Sequence, residues 1–282
     1  MVLTEFEGAI ALLSCFMFLP ETYAPRLLHL KAVRLRNVTG NQALRSKYDK
    51  GQTPAQLFCL AIIRPVKILV CSPIVVIVSL FLAIAYSYMY LMFATFSDVF
   101  TEAYGFDAGQ VGLCYLGLGI GCLAGQYTLD IFMKRHMKRQ LTRNGRMRPE
   151  DQLIPLPTAG FILSAGLIWY GWSMEYKVHW IVPIVGTSVC GIAITFFFLA
   201  VQTYLVEVYT IYAASALAAN TAIRCAFGVT VPLAAPHLYD RLGLGWGNSL
   251  LGFLALTVVP ASALLLHYGE RIRKNPRFIP EL

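Results

Sequence analysis

ILVCSPIVVIVSLFLAIAYSYMYLMFATF, residues 68–96, carries no charged side chain from end to end. A helix needs about 20 mainly apolar residues to cross the hydrocarbon of a bilayer, so this stretch predicts a membrane span. Five more windows of comparable length follow at 110–132, 154–174, 180–205, 211–235 and 246–267. A shorter apolar run at 8–19 precedes them, with Glu5 and Glu7 before it. Composition agrees: 57% of the 282 residues are apolar and only 13% charged, the balance of a bilayer protein and not of a soluble domain.

The cations set the expected orientation, because short cytoplasmic loops carry the excess of Lys and Arg. Segment 21–67 holds nine of them and 134–148 holds seven, while Arg271, Arg273, Lys274 and Arg277 lie in the tail. Loop 97–109 has Asp98, Glu102 and Asp107 and no cation, and the 175–179 loop has one Lys. The basic segments and the C-terminus are therefore expected on the cytoplasmic face and residue 1 on the other. This distribution accounts for the net charge of +8 without a nucleic-acid partner. The run at 8–19 lacks the basic n-region and small-residue cleavage site of a secretory signal. The seven cysteines lie mostly in apolar stretches without C-x-x-C spacing and read as small hydrophobes, neither a disulfide framework nor a metal site. The Asn37-Val38-Thr39 sequon falls in a segment assigned to the cytoplasm, where glycosylation is not expected.

Several spans hold more than an anchor requires. The second contains Gly117, Gly121 and Gly125, an overlapping small-x-x-x-small series that lets helices approach closely. The first has Tyr86, Tyr88 and Tyr90, the fourth Gln202, and the fifth Asn220 and Arg224. An Arg inside a span is costly unless it meets a cavity or a partner, which makes Arg224 the leading candidate site residue; a structural role, bonding carbonyls at a kink, also fits. Asn220, four residues earlier, shares its helix face. The tyrosines fit either a cavity wall or helix contacts, and Gln202 stands near a helix end. The third and sixth spans lack charge and are expected to face lipid.

These polar features fall on the first, second, fourth and fifth of six spans, and specific strings accompany them: PETYAP at 20–25, RPVK at 64–67, SPIV at 72–75, GLCYLGLGIG at 112–121, HWIVPIVGT at 179–187, TYLVEVY at 203–209, YAASALAANTAIR at 212–224 and GWGNSLL at 245–251. Together they resemble the second half of a major facilitator superfamily transporter of the fungal drug:proton antiporter type. The resemblance implies an all-α integral membrane fold, with six transmembrane helices over 68–267 forming one half of a major facilitator fold. Residues 1–20 would end a truncated preceding helix, 21–67 would be the cytoplasmic central loop and 268–282 a cytoplasmic tail. Most of the first half would then be missing. In the family's loop motif a Gly, three residues and an Asp precede basic residues; here four residues separate Gly125 from Asp130, followed by Lys134 and Arg135, the gating-loop candidates. The resemblance further implies export of small organic compounds (drugs, toxins or secondary metabolites) by proton antiport at the plasma membrane. The expected partners are the lipid bilayer, the substrate, protons and a second transporter half or a homodimer mate; no cofactor is expected.

Two rivals are weaker. A seven-span receptor approaches the span count, but 8–19 is too short and 21–67 too long for a tight first intracellular loop. An embedded enzyme would need paired acids or histidines within the spans, whereas all five histidines sit in loops or at span ends.

Overall fold

The computed structural model describes residues 2–21, 24–41, 43–45, 54–144 and 148–273. Thr22 and Tyr23 of the PETYAP string, Lys47, Lys50 and the tail cations Lys274 and Arg277 lie outside them. The chain divides into two units, 1–60 and 61–282. The first contains α1 (Val2–Phe18) and α2 (Ala24–Thr39). The apolar run of α1 exposes Leu12, Phe16 and Phe18. Within α2, Arg36 Nε donates to the Leu44 carbonyl at 2.7 Å, and Gly40 adopts the positive φ of 68° that ends the helix. Helix α3 (Pro54–Cys71) spans the boundary between the units, so 21–67 is largely helical.

The second unit holds α4 (Pro73–Tyr104), α5 (Ala108–Asn144), α6 (Pro155–Glu175), α7 (Ile181–Tyr209) and α8 (Ala213–Arg273). Two of the sequence boundaries move for identifiable reasons. The expected span 68–96 is cut at Ser72, whose φ of −116° and ψ of 96° are extended. A residue before proline is pushed out of the helical region, and Pro73, lacking an N–H, suits a helix's first turn. The expected loop 134–148 is helical through Asn144, because its polar residues continue α5 as a charged extension.

Among the described residues, four helical stretches are long and apolar enough to cross a membrane: Pro73–Tyr104, Ala108–Thr142, Pro149–Glu175 and Ile181–Arg273. The last, of 93 residues, is longer than any single crossing requires. It comprises α7, a 3-10 turn at Thr210–Tyr212 and α8, which is interrupted at Gly243 (φ 73°, ψ 173°). Three of the expected windows merge here because neither break contains an extended loop. At Gly243 the helix restarts under a side-chain cap: the Glu175 carboxylate accepts from the N–H of Leu244 at 2.9 Å and of Gly245 at 3.1 Å. A helix start leaves such donors unpaired and favours negative charge beside them.

Small residues set the packing around α7. The glycines Gly117, Gly121 and Gly125 of α5 meet Ile184, Ser188 and Ile192 of α7 at a constant offset, so these helices run parallel at close range. Ser188 Oγ donates to the Gly117 carbonyl at 2.7 Å and Thr195 Oγ1 to the Cys122 carbonyl at 3.3 Å. On another side of α7, Gly186 lies against Tyr170 and Gly166 against Cys190, an antiparallel contact with α6. Helix α6 also packs antiparallel on the arm of α8 after Gly243, through Gly160 on Val259 and Gly171 on Asn248, and Trp172 Nε1 donates to Ser249 Oγ at 3.0 Å. Phe161 and Trp169 of α6 and Phe253 and Leu264 of α8 point outward. In contrast, α4 is mostly covered: Val78, Leu82, Leu91 and Phe96 are inaccessible, and they join Tyr170, Phe197 and Tyr204 in the core.

The stretch after residue 147 is tied to the rest of the bundle. Arg273 binds Glu150 in bidentate fashion, Nε to Oε1 at 2.7 Å and Nη2 to Oε2 at 3.3 Å. Arg148 pairs with Glu270 at 3.3 Å, and Gln152 donates to Glu207 at 3.1 Å. Arg273, counted above only as a topogenic cation, thus has a structural partner in the sequence-distant Glu150.

Candidate functional site

Arg224 stands eleven residues into α8, about 16 Å along the axis from its start at 1.5 Å per residue. Its guanidinium carbon lies 4.3 Å from the centre of the Tyr86 ring on α4 and 5.5 Å from that of Phe198 on α7. No carboxylate among the described residues pairs with it, and its Nε is buried without a hydrogen-bond partner. Inserting an Arg at a helix centre costs about 2.5–3.5 kcal/mol. Each aromatic face returns about 0.5–2 kcal/mol, depending on desolvation. Two rings therefore return about 1–4 kcal/mol, comparable to that cost, while the Nε–H remains unpartnered.

The other candidates separate by helical phase. Tyr90, four residues after Tyr86, lies on the same face; the Tyr86 hydroxyl donates to that of Tyr90 at 3.1 Å, with ring centres 4.7 Å apart. The aromatic row continues through Phe93 to Tyr115 of α5, with centre spacings of 6.1 and 5.6 Å. Gly228 fits beneath it: a Cβ there would sit 3.3 Å from the Tyr86 ring. Tyr88, two residues from Tyr86, points away on the opposite side. It is buried and donates to the Leu251 carbonyl at 3.0 Å, outside the Arg224 group.

Asn220 is fully buried, and neither its Oδ1 nor its Nδ2 has a hydrogen-bond partner. Gln202 Oε1 is likewise buried and unpartnered. Phe198 faces Arg224 across the α7–α8 hairpin, so one helical turn toward the 210–212 turn on each helix brings Gln202 level with Asn220. Buried unpaired polar groups cost about 1–3 kcal/mol each, and a fold keeps three side chains of this kind on facing helix surfaces at a considerable penalty. Phe198 was not singled out from the sequence, since it sits in the run Phe196-Phe197-Phe198 with no polar signal.

Asp130, Lys134 and Arg135 are far along α5 from this group. Lys134 Nζ donates to Asp130 Oδ2 at 2.7 Å, both side chains being largely exposed. Asp130 borders a pocket of about 250 Å³ shared with Gln152 of a 3-10 turn at Pro149–Leu153 and Thr203 of α7.

Residues 6–232 match the sequence pattern of the Major Facilitator Superfamily. The chain belongs to the Major Facilitator Superfamily. It is 46% identical over 277 residues to the MFS-type transporter penM of Penicillium rubens, covering 98% of this chain and 54% of that protein. It is 45% identical over 272 residues to the MFS-type transporter tndD of Aspergillus flavipes, covering 95% and 51%, and 43% identical over 279 residues to the efflux pump radE of Floropilus chiversii, covering 98% and 52%. The chain thus spans about half the length of these relatives. No solved structure matches it. The superfamily consists of multi-pass membrane transporters and not of enzymes, which leaves the receptor and enzyme readings unsupported.

Proposed function

We propose that this chain is the second six-helix half of a secondary-active transporter that exports small organic compounds across the plasma membrane in exchange for protons. The six crossings would be α4, α5, α6, α7 and the two arms of α8. The observation that carries the reading is Arg224, held at mid-span by Tyr86 and Phe198 without a carboxylate partner. Membrane proteins keep such a cation where it meets a cavity or a ligand, and secondary transporters bind substrate near the midplane, between two halves that rock against each other.

In this account Arg224, Asn220 and Gln202 supply the polar contacts, and Tyr86 and Tyr90 form the wall. Gly117, Gly121 and Gly125 lock α5 to α7 so that the bundle moves as one body. Asp130, Lys134 and Arg135 act at the basic end of α5, engaging the opposing half as the cycle closes. That half comes from another polypeptide segment or from a second copy. Family membership and the name of the Floropilus efflux pump support the export reading.

The test is transport in plasma-membrane vesicles from cells producing this chain alone or together with the first half of the Penicillium relative. A lipophilic fluorescent compound should move against its gradient when a pH gradient is imposed and stop when a protonophore dissipates it. Movement that ignores the pH gradient would remove proton exchange from the account.

A further inference from the structure

Resting on the transporter reading above, we propose that the Arg224 cleft is selective for lipophilic organic anions, compounds bearing a carboxylate or enolate on an apolar skeleton. Charge accounting leads there. Among the described residues, the acids near the bundle's basic end are engaged: Asp130 by Lys134, Glu150 by Arg273, Glu270 by Arg148, Asp151 by the Arg148 backbone N–H and Glu207 by Gln152. At the other end, Glu175 is taken by the backbone of Leu244 and Gly245. Asp98 is twelve residues beyond Tyr86 on α4 and Asp240 sixteen beyond Arg224 on α8, about 18 and 24 Å along their helices. None of these reaches the guanidinium.

Geometry narrows the ligand further. The Tyr86 and Phe198 rings approach the guanidinium carbon and bring no carboxylate to it, and a guanidinium binds carboxylates through the N–H groups of its edge, often in pairs. Those edge groups include the buried, unpartnered Nε. One turn away, Asn220 Nδ2 is a second buried donor without an acceptor. An anion would satisfy both, with the aromatic row Tyr86, Tyr90 and Phe93 receiving an apolar skeleton. A neutral compound would leave the cation uncompensated, and a cation would be repelled.

The experiment measures binding of three probes sharing one skeleton, pyrenebutyrate, its methyl ester and pyrenebutylamine, to the full chain in lipid nanodiscs. Binding to empty nanodiscs is subtracted. The wild-type chain should bind the carboxylate at least tenfold more tightly than the ester, and the amine most weakly. Arg224→Gln should remove that preference, bringing the carboxylate's affinity down to that of the ester, and Arg224→Lys should restore part of it. The selectivity of the wild type stands as evidence even where Arg224→Gln fails to fold, as judged by its gel-filtration profile. Equal binding of carboxylate and ester, a preference for the amine, or an anion preference that survives in Arg224→Gln would overturn the inference while keeping a small-molecule cleft. Binding of none of the three above empty nanodiscs would overturn both the inference and the cleft on which the transporter reading rests.

Discussion

Replacing Gly121 with Ala adds one methyl group, and the structure specifies where it lands: against the carbonyl carbon, carbonyl oxygen and Cα of Ser188 on α7. These are backbone atoms, so no rotamer change relieves the overlap and α5 must move away from α7. Overpacking of this kind costs about 1–3 kcal/mol. The separation also stretches the Ser188–Gly117 and Thr195–Cys122 hydrogen bonds, worth on average about 0.6 kcal/mol each between membrane helices. Relative to an alanine at an open position of the same helix, the expected destabilisation is therefore about 2–4 kcal/mol. Gly119→Ala provides the matched control: the same substitution on the same helix places its Cβ in open space, and Ala is the better helix former by about 1 kcal/mol. Reversible unfolding by SDS titration in mixed micelles, followed by far-UV circular dichroism, measures both. If Gly121→Ala unfolds at the same SDS fraction as Gly119→Ala, the close α5–α7 approach is wrong.

Three further outcomes follow from the geometry. Gly243→Ala should lower stability by about 1–2 kcal/mol, because a left-handed φ strains a residue with a Cβ and the added atom would sit 3.0 Å from Glu175 Oε2; Glu175→Gln should cost less, and the thermal midpoints of the purified variants give the order. Glu150→Ala should destabilise by about 1.5–3 kcal/mol, since it removes a buried carboxylate that accepts two bonds from the partly exposed Arg273, whereas Lys134→Ala, which breaks a largely exposed pair, should fall within about 0.5 kcal/mol of wild type. Tyr88→Phe should lower stability by about 1 kcal/mol through loss of its bond to Leu251 without affecting probe binding, while Tyr86→Leu should weaken binding severalfold and cost about 0.5–2 kcal/mol through loss of its contact with Arg224; probe binding that falls with Tyr88→Phe and survives Tyr86→Leu would misplace the cleft.

The apolar windows of the sequence fall on helical stretches because length and the absence of charge are strong signals in a bilayer protein, although three of the six windows lie in one stretch from Ile181 to Arg273. They misplaced boundaries where local chemistry intervenes. Pro73 cuts the first window at Ser72, and Gly243, capped by the distant Glu175, interrupts α8 at a single residue where a loop was expected. Arg224 and Asn220 stood out because a polar side chain amid apolar neighbours is conspicuous, and their four-residue spacing placed them on one face. Helical phase separates Tyr88 from Tyr86 and Tyr90, since two residues at about 100° each reach the opposite side of the helix. Phe198 was not legible: one phenylalanine among three acquires meaning only from the cation on the next helix. The Glu150–Arg273 pair was equally hidden, since 123 positions separate its members and nothing local links them.

The central claim is that the mid-span cleft around Arg224 carries the transported compound. Its most direct test is the initial rate of pH-gradient-driven efflux in vesicles containing this chain and the first half of the Penicillium relative, compared between wild type and Arg224→Ala at equal membrane abundance. The account predicts a loss of at least tenfold, with insertion unchanged; efflux at the wild-type rate would contradict it.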